Sequence, residues 1–230
     1  MGEYAEFINR YFPASSNIEN DEVLYQLICE SNLISKIMLK YISLEVAYIN
    51  EVKTIFYRRF RDGVNKLLIY LPLNEEIGIH ACMRFSIEQF LKFIYAIYFD
   101  KEPDEISKTG YRHLKEDIKN NDFIPREVKF ELQKIYTYYA EYSNDMHAKE
   151  IDENEELISL GRIIRTSNEY SSRIENDLRN LLNTSYAIMS EIFHIKYEML
   201  NASERIGIEN LSSRGRKKKI YKILEYDMQN

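Results

Sequence analysis

The sequence predicts an all-α protein, a helical bundle with long flanking helices, and three observations support this fold class. Apolar residues recur at spacings of three and four along most of the 230 residues, as on the buried face of an amphipathic helix. Only 7 Gly and 4 Pro are present, which is low for a protein rich in strands and turns. No segment shows the convincing alternation of apolar and polar residues that is typical of a strand.

Two helical stretches are predicted in the first half of the chain. The first runs from about residue 20 to residue 71, with Gly63 marking a break, and ends before Pro72. The second begins near Asn74, which can cap it, and runs to Phe99. Because this second helix is apolar nearly all round, we expect it to be buried. It carries a polar row at helical spacing: His80, Arg84, Glu88 and Tyr95.

The second half predicts three more helices and, over about residues 219–228, one further short helix. A short one covers about residues 104–119, and Gly110 weakens it. Pro125 suits the first turn of a helix that reaches His147. Asp152 and Glu155 have the spacing of a capping box for a long helix over about 154–203. We expect one helical domain over residues 1–207, with its core at about 20–203, and a linker with a basic C-terminal tail over 208–230.

Composition and charge restrict the function classes. A net charge of −6 gives no general attraction to nucleic acid or to an anionic membrane. Two cysteines, Cys29 and Cys82, are too few for a disulfide framework or a four-cysteine zinc site, which favours the reducing cytoplasm. We find no secretory signal and no apolar run long enough to span a bilayer, so no membrane contact is expected. Known phosphate-loop, dinucleotide and zinc-protease motifs are absent, so the sequence predicts no cofactor and no metal. Asp145, His147 and the acidic residues of 150–156 are close in sequence and are either metal ligands or, as is usual for such charge runs, a solvated loop before a helix.

One basic run stands out from this acidic background. Residues 214–219 contain five positive charges, from Arg214, Arg216, Lys217, Lys218 and Lys219. Such a run is either a solvated tail or a contact for nucleic-acid phosphates that does not depend on base sequence.

Two groups of residues are candidates for chemistry. His147 ends a tyrosine-rich helix and is expected on its inward face, in the same row as Ser143 and Tyr139, which precede it at intervals of four residues. It is either a buried structural histidine or the reactive group of a site. Arg84 and Glu88 lie one turn apart among apolar neighbours, so we expect a shielded ion pair that needs further partners. Asn144 and His147 are the expected partners.

These residues resemble the signature of a known family. Residues 84–95 read RFSIEQFLKFIY and residues 142–148 read YSNDMHA, a pattern similar to the HEPN superfamily of helical proteins over about residues 74–160. The resemblance implies a bundle that dimerises, in a family whose members include many metal-independent RNases. Those members act in bacterial toxin–antitoxin, abortive-infection and other antiphage defence systems. Homodimerisation, RNA, and a cognate antitoxin or defence-system protein are therefore the partners it suggests.

The resemblance also assigns roles to the candidate residues. His147 would transfer protons as an RNA 2′-hydroxyl attacks, Arg84 would bind the phosphate, and Glu88 would orient one or both of them. Asn144 would complete the catalytic group. Further substrate contacts would come from two helix residues and the basic run: Ser143, Tyr139, Arg214, Arg216, Lys217, Lys218 and Lys219.

The sequence departs from the family at one place. The positions where the family motif has arginine before the histidine are occupied by Ala140, Glu141 and Tyr142. Either Arg84 supplies the cation from the neighbouring helix, or the site does not cleave RNA. In the second case the chain would be a non-catalytic helical interaction or dimerisation module, in which the polar cluster is structural.

Overall fold

A computed structural model of the chain describes residues 3–13, 18–45, 51–73, 75–147, 171–211 and 213–225. These residues form α-helices and one short 3-10 helix (Tyr197–Met199), with no strand among them, so the all-α prediction is confirmed. The α-helices are α1 (Glu3–Tyr11), α2 (Ile18–Glu45), α3 (Glu51–Tyr70), α4 (Glu76–Tyr98), α5 (Pro103–Lys108), α6 (Tyr111–Asn120), α7 (Arg126–His147), α8 (Ser171–Phe193), α9 (Ala202–Leu211) and α10 (Arg214–Ile223).

The central element of the bundle is α4. It packs against α3, α7 and α8 and also contacts the short helices α5 and α6. Phe90, Phe93 and Ile94 are fully buried, as expected for a helix that is apolar nearly all round. The predicted start is one residue off, because the Glu75 side chain accepts hydrogen bonds from the backbone N–H groups of Ile77 and Gly78 and so caps the helix. Asn74 lies outside the described residues.

The first long stretch is described as two helices, α2 and α3, and residues 46–50 between them lie outside the description. The predicted break at Gly63 is wrong, since α3 continues through it. Gly63 instead lies against α4, where an added Cβ would come within 2.4 Å of the Ser86 Oγ. The glycine therefore serves close helix packing rather than helix termination.

The predicted helix over 104–119 is divided by a short connection at Thr109 and Gly110, so that α5 and α6 flank it. The helix from Pro125 to His147 is confirmed as α7. None of the described helices is both long and apolar enough to cross a bilayer.

The C-terminal third differs most from the prediction. The helix expected over 154–203 ends at Phe193, and His194 adopts a left-handed φ of 49°, while its predicted capping box at Asp152 and Glu155 lies outside the described residues. The segment expected to be a linker and tail, residues 208–230, contains the last part of α9, which packs against α2, and all of α10, which packs against α8. Ile220 and Leu224 are each 2% exposed, because their spacing of four places both on the inward face of α10.

Candidate functional site

The relative register of α4 and α7 decides which candidate residues meet. Arg84 contacts Tyr139, and His80 contacts Tyr142. Since the lower number on α4 pairs with the higher number on α7, the two helices run antiparallel. The predicted residues of α4 are therefore distributed along α7 and do not converge on its last turn.

Arg84 is positioned by a tyrosine. Its Nε donates a hydrogen bond of 3.1 Å to the Tyr139 hydroxyl oxygen, and its guanidinium lies 5.4 Å from the centre of the same ring. Tyr139 stacks in turn on Tyr111, with ring centres 3.5 Å apart. Burial raises the pKa of Tyr111 to about 12. The hydrogen bond and the ring contact with Tyr139 thus position the Arg84 guanidinium.

The predicted ion pair between Arg84 and Glu88 does not form. Glu88 binds the Lys92 ammonium at 2.8 Å, and the same ammonium donates to the Ser107 carbonyl oxygen at 2.7 Å. Lys92 is only 5% exposed and needs both partners. Glu88 therefore neutralises a buried lysine that holds α5, and the role of orienting Arg84 has no support in this geometry. Within the described part of the chain, no carboxylate pairs with Arg84.

A second polar layer lies one turn nearer the start of α4. The His80 ring is 3% exposed and meets Tyr142 edge-on, with ring centres 5.2 Å apart. The Tyr142 hydroxyl donates a 2.7 Å hydrogen bond to Asp177 on α8. Burial, and then this hydrogen bond, raise the pKa of Tyr142 well above its ordinary value. Arg173 lies 3.7 Å from the same Asp177 carboxylate.

We name these residues the junction cluster: His80, Arg84, Tyr139, Tyr142 and Asp177. It joins α4, α7 and α8, and the sequence pattern indicated only part of it. His80 was visible in the polar row of α4, but nothing local in the sequence connects it to Tyr142 or Asp177, which lie 62 and 97 positions away.

His147 lies at the end of α7, and its side chain is outside the described part of the structure. At about 1.5 Å per residue, the eight positions from Tyr139 to His147 span about 12 Å along α7. The antiparallel register carries His147 toward the beginning of α4 and away from Arg84. On α7 between Tyr139 and His147, the Ser143 side chain is half-buried and that of Asn144 is exposed.

The predicted basic run does not act as one unit. Arg216 is 6% exposed and both Nε and a terminal nitrogen donate to the Glu30 carboxylate, so it faces the core and cannot contact RNA without leaving it. Lys217 pairs with Glu209 at 2.7 Å. The remaining three, Arg214, Lys218 and Lys219, are exposed.

Among the described residues, no three side chains of His, Cys, Asp or Glu are placed to hold a metal ion together. Comparison of the chain with protein-family models, with curated proteins and with solved structures gave no match.

Proposed function

We propose that this chain is an RNA-binding protein of HEPN type that cleaves RNA without a metal, with His147 as the acid–base group and Arg84 as a phosphate ligand. The HEPN assignment rests on the resemblance of residues 84–95 and 142–148, and the setting it suggests is a bacterial toxin–antitoxin or antiphage system in the cytoplasm.

The observation that supports this proposal best is the state of Arg84. Its Nε donates to a tyrosine hydroxyl, and the described residues offer it no carboxylate. The terminal nitrogens thus retain donors for an external oxyanion, and guanidinium groups bind phosphate in a bidentate manner. A side chain pre-oriented by Tyr139 loses less conformational entropy when it binds.

The spacing along α7 refines the role of Arg84. Because about 12 Å of helix separates Tyr139 from His147, an RNA strand that contacts both regions through different nucleotides fits better than one phosphate held by both. Arg84 would then anchor a phosphate next to the scissile one, and His147 would serve the 2′-hydroxyl or the leaving oxygen.

Cleavage of labelled RNA in the presence of EDTA tests this proposal. We expect wild-type protein to yield ends with a cyclic phosphate and His147→Ala to be inactive. Arg84→Ala should weaken RNA binding by about 10- to 100-fold, the usual cost of losing a hydrogen bond to a charged group. Arg112→Ala is the matched control, since its side chain is 85% exposed on α6 and should leave cleavage unchanged. Full activity of folded His147→Ala would contradict the assignment.

A second candidate is the non-catalytic interaction module. The observation that favours it is that several buried polar groups already satisfy one another, as in the bond from Tyr142 to Asp177 and in the contacts of Lys92 with Glu88 and Ser107. Under this proposal, Arg84→Ala and Tyr142→Phe lower the free energy of unfolding by about 1–3 kcal/mol. Urea titration measures the stability of both variants, and light scattering detects a dimer. The expected loss of stability, together with no cleavage by wild-type protein, supports this candidate over the nuclease.

A further inference from the structure

A groove between α7, α8 and α10 lies apart from the junction cluster. It encloses about 350 Å³, which falls in the size range of small-molecule sites. Its walls include Tyr138 from α7, Asn180 and Asn183 from α8, and Lys219 from α10. Side chains from three helices therefore converge on one polar cavity.

The buried Arg216 determines how Asn183 faces this groove. Arg216 donates to the Asn183 Oδ1 at 2.6 Å, while Glu30 holds the rest of its guanidinium. Because an arginine has only donors, the Asn183 oxygen must be the atom that faces it. The amide nitrogen of Asn183 is left with two N–H donors for the groove. The ion pair in the core thus presets a hydrogen-bond donor at the cavity wall.

The charge of the groove is positive. Its one carboxylate, from Glu131, is matched by Lys134, whose ammonium lies 2.8 Å away. Lys219 adds a charge that no carboxylate of the described residues neutralises. Two asparagine amides and the Thr184 hydroxyl supply further polar groups. A cation with several donors around it is suited to phosphate oxygens.

We propose that this groove binds a small phosphate ester of about mononucleotide size, with Lys219 and the Asn183 amide as ligands of the phosphate. The described residues that line the groove include neither Arg84 nor His147, so the site is separate from the proposed RNA-cleaving residues, although Lys219 is also one of the RNA contacts that the HEPN resemblance implies. Lys219 supplies the charge, and the Glu30–Arg216–Asn183 chain supplies the direction of the amide donor.

Isothermal titration of the full chain with adenosine 5′-monophosphate tests the proposal, with adenosine and inorganic phosphate as separate ligands. We expect saturable binding of the nucleotide, weaker binding of phosphate and none of adenosine. Lys219→Ala should weaken nucleotide binding by about tenfold, the usual loss for one charge-assisted hydrogen bond. Lys218→Ala removes the same charge from the adjacent exposed position of α10 but not from the groove wall, and should bind as wild type does.

A second variant tests the direction of the amide. Asn183→Asp keeps an oxygen for Arg216 but replaces the N–H donors with a negative charge, so the fold should persist while nucleotide binding is lost. Circular dichroism and thermal unfolding check that this variant is folded. The proposal is overturned if the nucleotide shows no saturable binding, if Lys219→Ala and Lys218→Ala lose equal affinity, or if folded Asn183→Asp binds as wild type does. An RNA oligonucleotide is a further ligand in the same titration. Binding of this oligonucleotide without binding of the nucleotide would also overturn the proposal.

Discussion

The ion pair between Glu30 and Arg216 joins α2 and α10 inside the bundle. The Arg216 side chain is 6% exposed and that of Glu30 is 2% exposed. Removing two charges from water is costly, and their mutual attraction offsets this cost only when geometry and additional hydrogen bonds are good. Asn183 supplies such a bond at 2.6 Å. The pair is thus a structural contact whose members depend on each other.

Glu30→Gln removes the negative charge and keeps the shape of the side chain. We expect the free energy of unfolding to fall by about 3–5 kcal/mol, because Arg216 would remain buried without a counter-charge. Urea titration followed by circular dichroism measures this change.

The matched control for that variant is Glu116→Gln. Glu116 pairs with Arg112 at the surface, where the side chains are 53% and 85% exposed, so the loss should stay below about 1 kcal/mol. Equal effects of the two substitutions would show that Arg216 does not depend on its buried partner.

At the scale of elements, the contact between α3 and α4 depends on a small side chain. Gly63 is buried where the two helices meet. A Cβ at this position would lie 2.4 Å from the Ser86 Oγ and 2.8 Å from a ring carbon of Phe85. Ser86 has little freedom to move, because its hydroxyl donates to the Cys82 carbonyl at 2.8 Å. The helices can therefore approach this closely only with glycine at position 63.

Gly63→Ala should lower the free energy of unfolding by about 1–3 kcal/mol, because overpacking outweighs the gain in helix propensity. Gly215→Ala on α10 is the control, since its Cβ would meet nothing within 4 Å, and it should stabilise by up to about 1 kcal/mol. Thermal and urea unfolding of the two variants measure both signs. A stabilising Gly63→Ala would contradict the close packing of α3 and α4.

Over the whole molecule, buried tyrosines link stability to pH. The chain has 19 tyrosines, and burial raises the pKa of Tyr57 from 10.0 to about 12 and that of Tyr111 to about 12. Burial also raises the pKa of Tyr136 and Tyr186 above the ordinary value. In alkaline solution the folded state therefore retains phenol protons that the unfolded state has already released.

This difference predicts a loss of stability in alkali. Below pH 10 both states bind the phenol protons, so the tyrosine contribution is fully present. Between pH 10 and about pH 12, the range set by Tyr57 and Tyr111, the unfolded state binds fewer protons and stability falls as pH rises. Urea midpoints across this range, together with tyrosinate absorbance of folded protein, measure the effect. A midpoint that does not change from pH 9 to pH 12 would contradict it.

The sequence by itself determined the fold class and the main helices. The apolar pattern that predicted α4 and α7 is local, because a helix repeats every 3.6 residues and its buried face is readable within a few turns. The burial of α4 followed from apolar residues that lie nearly all round the helix, with one row of polar side chains among them. The short helix expected over about residues 219–228 contains Ile220 and Leu224, but α10 begins earlier, at Arg214, because the run of charges is part of the helix.

Only the tertiary structure decided the partners of the charged and polar side chains. Arg216 forms an ion pair with Glu30, which lies 186 positions away in the sequence. Glu88 pairs with Lys92 and not with Arg84. Tertiary packing also separates the residues predicted to form one site. Because α4 and α7 run antiparallel, Arg84 and Glu88 of α4 do not lie beside the last turn of α7, which carries Asn144 and His147. Which residues of two helices meet depends on their relative direction and register, and these result from the packing of the whole bundle, while helix formation depends on neighbours along the chain.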